Sequence, residues 1–275
     1  MDNLSENERI EIDLLLKAIY LKYGYDFTGY AKASIRRRIL HRLSISSLKT
    51  IAEMQHKLLN DKEFFGTLLL DLTINVTEMF RDPAFFKTLR KTVIPELKKR
   101  TFIKVWHAGC SSGEEVYSIA ILLKEEGLDN NALIYATDAN ERVISKAKKG
   151  VFPIDRMKDY TRNYRNAGGL ASFANYYTAK YDYAIMDNAL KKNIVFCDHN
   201  LVTDSVFGEM DLILCRNVLI YFNKVLQDRV FKLFFDSLRT DGFLCLGSKE
   251  SIQFSAYSDN FENVAGGKKI YRRKR

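Results

Sequence analysis

Apolar positions in the first part of the chain recur at intervals of three and four. Ile10, Leu14, Leu15 and Ile19 mark one helical face, and Ile35, Ile39 and Leu43 a second. Ile51, Met54, Leu58 and Leu59 follow, then Phe64, Phe65, Leu68, Leu69 and Leu72. Asp61 is placed to cap the last of these helices, and Asp82-Pro83 opens a further one through Lys99. From Thr101 the rhythm changes. Short apolar runs near 103–107, 132–138, 194–197, 210–215 and 242–247 alternate with helical patterns near 113–126, 140–149 and 223–239. That alternation predicts an α/β fold, a mostly parallel sheet covered on both faces. The chain closes on an expected hairpin, Asn260 to Val264 against Lys269 to Arg272, turned at Gly266-Gly267. Between Phe173 and Lys192 aromatic and polar residues alternate, which predicts a small antiparallel excursion, Tyr176 to Thr178 against Tyr183 to Met186. Such excursions carry contacts on many scaffolds, and a plain surface hairpin fits the same pattern. The expected organisation is a helical domain with linker over 1–90 and an α/β domain over 91–275, with a β subdomain at about 173–192.

Composition narrows the class. A chain of 275 residues, 47% hydrophobic and 28% charged, can bury a substantial core. No apolar run approaches the roughly 20 residues of a membrane span. The acidic N-terminus, MDNLSENERIEID, is unlike a secretory signal. Cys110, Cys197, Cys215 and Cys245 are scattered without a C-x-x-C pair, which points to reduced thiols in a cytoplasmic protein. The four histidines lack metal-ligand spacing, so no metal is expected. The formal charge of +9 suits an acidic partner. Its clusters are Arg36, Arg37, Arg38 and Arg42 on one segment, and Lys268 to Arg275, which reads as a solvated tail. Aromatics do not alternate with the basic residues, against a nucleic-acid platform.

The chemistry concentrates in IKVWHAGCSSGEEVYSIA, Ile103 to Ala120. An apolar run breaks at Gly109-Cys110-Ser111-Ser112-Gly113 and opens directly into a helix, the first unit of a doubly wound nucleotide-binding sheet. The second strand ends in Asp138, placed to accept hydrogen bonds from ribose hydroxyls. No lysine follows Gly113, which excludes a phosphate-binding P-loop. Glu114 and Glu115 suit the helix dipole but would repel a pyrophosphate. A cationic nucleoside, S-adenosylmethionine, fits these carboxylates; an acidic first turn is also ordinary in any helix. Asp198-His199-Asn200-Leu201 and Arg216-Asn217, with Tyr221 a turn later, would reach the same sheet edge. Ile74 to Asp82 lies in the link between the helical part and the sheet, where Asn75, Thr77 and Arg81 can converge on a polar ligand from one loop. Asn200 is placed to bracket an adenine amino edge and Leu201 to pack on its face. Each also has a structural account: Thr77 as a cap, Arg81 paired with Asp82 or Glu78, Asn217 as a turn residue.

NVTEMFRD, AGCSSGEEVYSIA, YATDAN, DHNL and CRNVLIYF occur in the order and spacing of the chemotaxis receptor methyltransferases, and the chain resembles that CheR family over nearly its whole length. The resemblance implies a Rossmann-like class I S-adenosylmethionine-dependent methyltransferase sheet, with an N-terminal all-helical domain and a small antiparallel β insertion. It implies methyl transfer to glutamates on chemoreceptor cytoplasmic helices, forming γ-glutamyl methyl esters and S-adenosylhomocysteine. Carried over by position, the cofactor contacts fall on Asn75, Thr77, Arg81, Glu115, Asp138, Asn200, Leu201, Arg216 and Asn217. Arg81 and Tyr221 match residues beside the reacting methyl group. The receptor-contacting basic helix corresponds to Ser34 to Leu43, with Arg36, Arg37, Arg38 and Arg42. Three departures stand out. Val116 replaces a proline, and Gly247-Ser248-Lys249-Glu250 stands where His-Ser-Glu is common. TAKYDYA is short and lacks glycine, which predicts docking independent of a receptor's C-terminal pentapeptide tether. Neither nucleic acid nor membrane insertion is expected. The alternatives are an RNA or small-molecule methyltransferase, for which the Asn/Asp-Pro-Pro-Tyr/Phe sequence is missing, and a non-catalytic S-adenosylmethionine-binding signalling protein.

Overall fold

Helical periodicity organises the first part of the chain, and the computed structural model, which describes residues 6–73 and 77–275, folds it accordingly. Contacts divide the chain into two units. Met1–Asn75 with Tyr221–Gln227 form the first, and Val76–Ile220 with Asp228–Arg275 the second.

The first unit packs α1 (Glu6–Tyr23), α2 (Lys32–Ile45), α3 (Ile51–Asn60) and α4 (Lys62–Leu72) around Leu15, Ile19, Ile35, Ile39, Met54, Leu58, Leu68 and Leu72. Thr50 caps α3, and Asp61 caps α4 by accepting from Glu63 N and Phe64 N. The buried face of α1 is Ile12, Leu15, Leu16 and Ile19; the expected Ile10 and Leu14 are 46% and 52% exposed. Both stripes have helical spacing, and α1 is apolar on more than one side, so periodicity alone does not choose between them. The segment Tyr221–Gln227 joins this unit through Tyr30, whose ring meets Phe222 edge-on at 5.0 Å, and through Ala31 N, which donates to Tyr221 O (2.8 Å).

The second unit begins with α5 (Pro83–Thr92) and α6 (Ile94–Leu97). The single helix expected there breaks at Val93, because Pro95 has no N–H to continue the ladder. Phe85, Phe86, Leu89, Ile94 and Leu97 pack into the core of the second unit. Then come β1 (Ile103–Ala108), α7 (Glu114–Glu125), β2 (Ala132–Asp138), α8 (Glu141–Lys149), β3 (Val151–Pro153), α9 (Met157–Asn166), β4 (Tyr177–Lys180), β5 (Tyr183–Met186) and α10 (Asn188–Lys191). The chain ends with β6 (Ile194–Asp198), β7 (Met210–Cys215), α11 (Lys224–Ser237), β8 (Leu238–Leu246), β9 (Phe261–Asn263) and β10 (Ile270–Arg273). The main sheet has the order β6-β2-β1-β7-β8-β10-β9. Its first five strands run parallel and the closing hairpin is antiparallel. Near-continuous apolar strands follow from burial on both faces. The chain leaves β1 toward β2 and β6, then returns to lay β7 on β1's other side. The switch point of a doubly wound sheet, where ligands bind, therefore lies at the carboxyl ends of β1 and β7.

The excursion is a separate three-stranded sheet, β3-β5-β4. Sequence reading gave β4 and β5 but missed β3 and α9. Three residues ending in proline have no readable period, and α9 buries only Met157, Tyr160 and Tyr164 among seven polar neighbours. Among the described residues no helix is long and apolar enough to cross a membrane, and no three metal-ligating side chains converge.

Candidate active site

The turn after β1 is shaped by glycine. Gly109 has φ 77°, and a Cβ there would lie 2.5 Å from Val218 Cγ2, so no other residue fits. Gly109 N and Cys110 N both donate to Thr137 O at the end of β2 (2.9 and 2.8 Å). This ties the turn to the neighbouring strand end. Asp138 completes that tie. Its Oδ2 accepts from Ser111 N (2.9 Å) and its Oδ1 from Asn140 N (3.0 Å). Burial pushes the Asp138 carboxyl up, and these backbone N–H groups pull against it. A carboxylate has about four lone-pair directions, and the N–H groups of Ser111, Asn140 and Ala139 take three, so Asp138 keeps about one acceptor direction for a hydroxyl group.

The two glutamates that open α7 have different surroundings. Burial pushes Glu114 up to about 6, against hydrogen bonds from Ser112 Oγ (2.7 Å) and Tyr160. Burial alone would also raise Glu115, but Arg216 and His107 outweigh it and hold its carboxyl below the ordinary value. His107 Nε2 lies 3.2 Å from Glu115 Oε1, and Arg216 Nη1 bonds Oε2. Arg216 also donates to Asp82 Oδ2 (2.7 Å) and lies 4.0 Å from the Phe85 ring centre. Glu115 and Arg216, both expected at the cofactor, neutralise each other in the protein interior. Their first effect is to lock α7, β7 and the start of α5 together.

The Asp82 partner brings in the loop before α5. Phe80 and Asp82 stand at φ 53° and 59°, uncommon for residues with side chains. Phe80 N donates to Ser118 Oγ (2.9 Å), Asn163 Nδ2 to Met79 O (3.2 Å), and Arg216 Nη1 to Arg81 O (3.4 Å). Arg81 is thereby fixed in the backbone on both sides. Thr77 is half-buried at the start of this segment, and Asn75 lies outside the described residues.

At the end of β6, His199 N donates to Asp138 O (3.1 Å). Asn200 Oδ1, expected at an adenine edge, accepts from Val202 N (3.0 Å) within its own turn, which leaves it one lone pair; Leu201 is buried. Asn217 follows β7 at φ 62°. Glu250, named in the sequence only as part of a departure, accepts from Asn217 N (3.0 Å) and its neighbours. It was missed because nothing local marks a buried acid 33 residues away in sequence from its partner. Tyr221 belongs to the helical unit, where the Arg38 guanidinium lies 4.8 Å from its ring centre.

The arginines of α2 divide similarly. Arg38 is 6% exposed and donates to Leu72 O at the end of α4. Arg36 pairs with Glu8 (2.7 Å) and Arg42 with Asp71, both half-buried. Arg37 is exposed.

Residues 75–270 match the S-adenosylmethionine-binding domain of CheR methyltransferases, and residues 10–73 match the all-alpha domain of the same proteins. A Pseudomonas putida protein named Cher3, provisionally called a methyltransferase, is 55% identical over 267 residues, 97% of this chain and 98% of its own. A chemotaxis protein methyltransferase of Listeria innocua is 34% identical, covering 83% of this chain and 85% of its own. Another from Borreliella burgdorferi is 29% identical, covering 88% of both.

Proposed function

The chain belongs to the CheR family of S-adenosylmethionine-dependent methyltransferases, and from that premise we propose that it esterifies glutamate side chains on chemoreceptor cytoplasmic helices. The observation that carries this reading is the backbone of Arg81, held between two left-handed residues beside the switch point. A guanidinium carried on such a fixed backbone suits a carboxylate acceptor better than an amine or a nucleobase.

The residues present fit the cofactor. The Gly109 turn is closed onto the end of β2 by Thr137 O, and Asp138 beside it keeps acceptor capacity for a ribose hydroxyl. Thr77, Asn200, Leu201 and Asn217 would complete the site, with Asn75. S-adenosylmethionine, when bound, supplies an electrophilic methyl group and its own leaving sulfur. The protein then has no proton to remove, because a glutamate of pKa about 4.3 is an anion at neutral pH. Its work is to align the acceptor oxygen and keep water out, for which effective molarities are large. Arg81 orients the acceptor carboxylate. Glu115 and Arg216 act from behind, by fixing the loop that carries Arg81.

Receptor docking falls on the α2 face. Arg37 and Lys32 are exposed cations there; Arg36 and Arg42 add partly screened charge, while Arg38 is spent inside the unit. The turn between β4 and β5 is only Tyr181-Asp182, in keeping with docking that needs no pentapeptide tether. Incubation with methyl-labelled S-adenosylmethionine and either receptor cytoplasmic fragments or total RNA tests the proposal. Base-labile label on the receptor is expected, and Arg81→Ala should remove most of it while leaving thermal melting unchanged. Label on RNA, or full labelling by the variant, would overturn the assignment.

A further inference from the structure

The loop after β7 is held by one buried carboxylate. Glu250 Oε2 accepts from Gly247 N (2.6 Å) and Asn217 N (3.0 Å), and Oε1 accepts from Val218 N (2.8 Å) and Leu219 N (2.7 Å). Four main-chain donors fill the roughly four acceptor directions of a carboxylate. Glu250 is 4% exposed. What the clamp holds is strained. Asn217 stands at φ 62°, a conformation that costs energy outside glycine and persists only where its surroundings impose it. Val218, the next residue, presses its Cγ2 into the space where Gly109 lacks a Cβ. The clamp therefore bridges the end of β8 and the glycine turn of β1 through the loop that carries Asn217. On the other side the fit is equally close: a Cβ on Gly247 would lie 2.7 Å from Glu250 Oε2 and 2.9 Å from Asn217 N.

We propose that Glu250 is a positioning residue for the cofactor site, its carboxylate holding Asn217 and Val218 in the one backbone arrangement that serves the ligand. The inference rests on the reading of Asn217 as a cofactor contact. It assigns to Glu250 no contact with substrate or cofactor, since its oxygens are already filled. A glutamine here is isosteric but turns one acceptor into a donor that faces two N–H groups. Loss of the clamp releases Asn217 from the left-handed region, and affinity falls although every ligand-touching side chain remains.

Calorimetric titration with S-adenosylhomocysteine, on the full chain, tests this in Glu250→Gln, Asn217→Ala and the double variant, with melting curves recorded beside each. Glu250→Gln should bind about tenfold more weakly or worse, the scale of lost charge-assisted hydrogen bonds. Because Glu250 acts through Asn217, adding Glu250→Gln to Asn217→Ala should cost little more, whereas added to Asp138→Asn it should cost its full factor. A purely structural role would give equal losses in all backgrounds. Should Glu250→Gln fail to fold, Gly247→Ala pushes on the same clamp from the other side and carries the same expectation. Unchanged affinity in Glu250→Gln, or losses that multiply fully with Asn217→Ala, would overturn the proposal. No binding by the unsubstituted protein would overturn the site reading itself, and Glu250's role with it.

Discussion

Glu114 and Glu115 are adjacent, both buried and both in the first turn of α7, yet their carboxyls move in opposite directions. The difference is Arg216, which reaches Glu115 from 101 residues away and does not reach Glu114. Sequence gave the pair a common role beside a cationic ligand; the structure gives Glu115 a partner inside the protein and leaves Glu114 poorly compensated. Glu114 has an ordinary value of 4.5 and a folded value of about 6, so the folded state holds its proton more tightly than the unfolded chain. Its contribution therefore falls as pH rises from 4.5 to about 6, and at pH 7 the ionised side chain costs about 2 kcal/mol. Glu114→Gln should recover up to about 2 kcal/mol at neutral pH, with the gain vanishing toward pH 4.5. Denaturant unfolding of both proteins across that range checks it. A variant destabilised by the same amount at every pH would show that the charge is well satisfied.

At the scale of elements, α2 shows how a basic stripe divides into separate tasks. Arg38 is buried and bonded to the end of α4, so Arg38→Ala should destabilise the helical unit by about 2 kcal/mol. Arg37→Glu should leave stability within about 0.5 kcal/mol but weaken binding to receptor fragments and flatten its salt dependence. Titrations at low and high salt separate the two; unchanged binding by Arg37→Glu would remove α2 from the docking surface. The same contrast explains what was legible. The strands β1, β2, β6 and β7 and the helices α7 and α8 were readable because an unbroken apolar run or a 3.6 period is written locally. The break between α5 and α6, the correct face of α1 and the short β3 were not, since each depends on what the segment packs against. Glu250, Asp82 and His107 were invisible as site residues for the same reason: their partners come from distant segments of the chain.

At the scale of the whole molecule, the parallel sheet of the second unit has its switch point at β1 and β7. Residues 1–75 carry 11 basic and 10 acidic side chains, so most of the net charge of +9 lies outside them. The order of motifs along the chain was enough to assign the fold and the cofactor. The wiring behind the site, in which Glu115, Arg216 and Asp82 set the Arg81 loop and Glu250 sets the Asn217 loop, emerged only in three dimensions. In the proposed function all of it serves one nucleoside site organised around Asp138. Calorimetric titration of S-adenosylhomocysteine into the unsubstituted chain and into Asp138→Asn tests that claim most directly. Saturable one-to-one binding to the former and a loss of at least about tenfold in the latter, at a temperature where melting curves show both proteins folded, is the expected result. Equal affinity in the two proteins would contradict it.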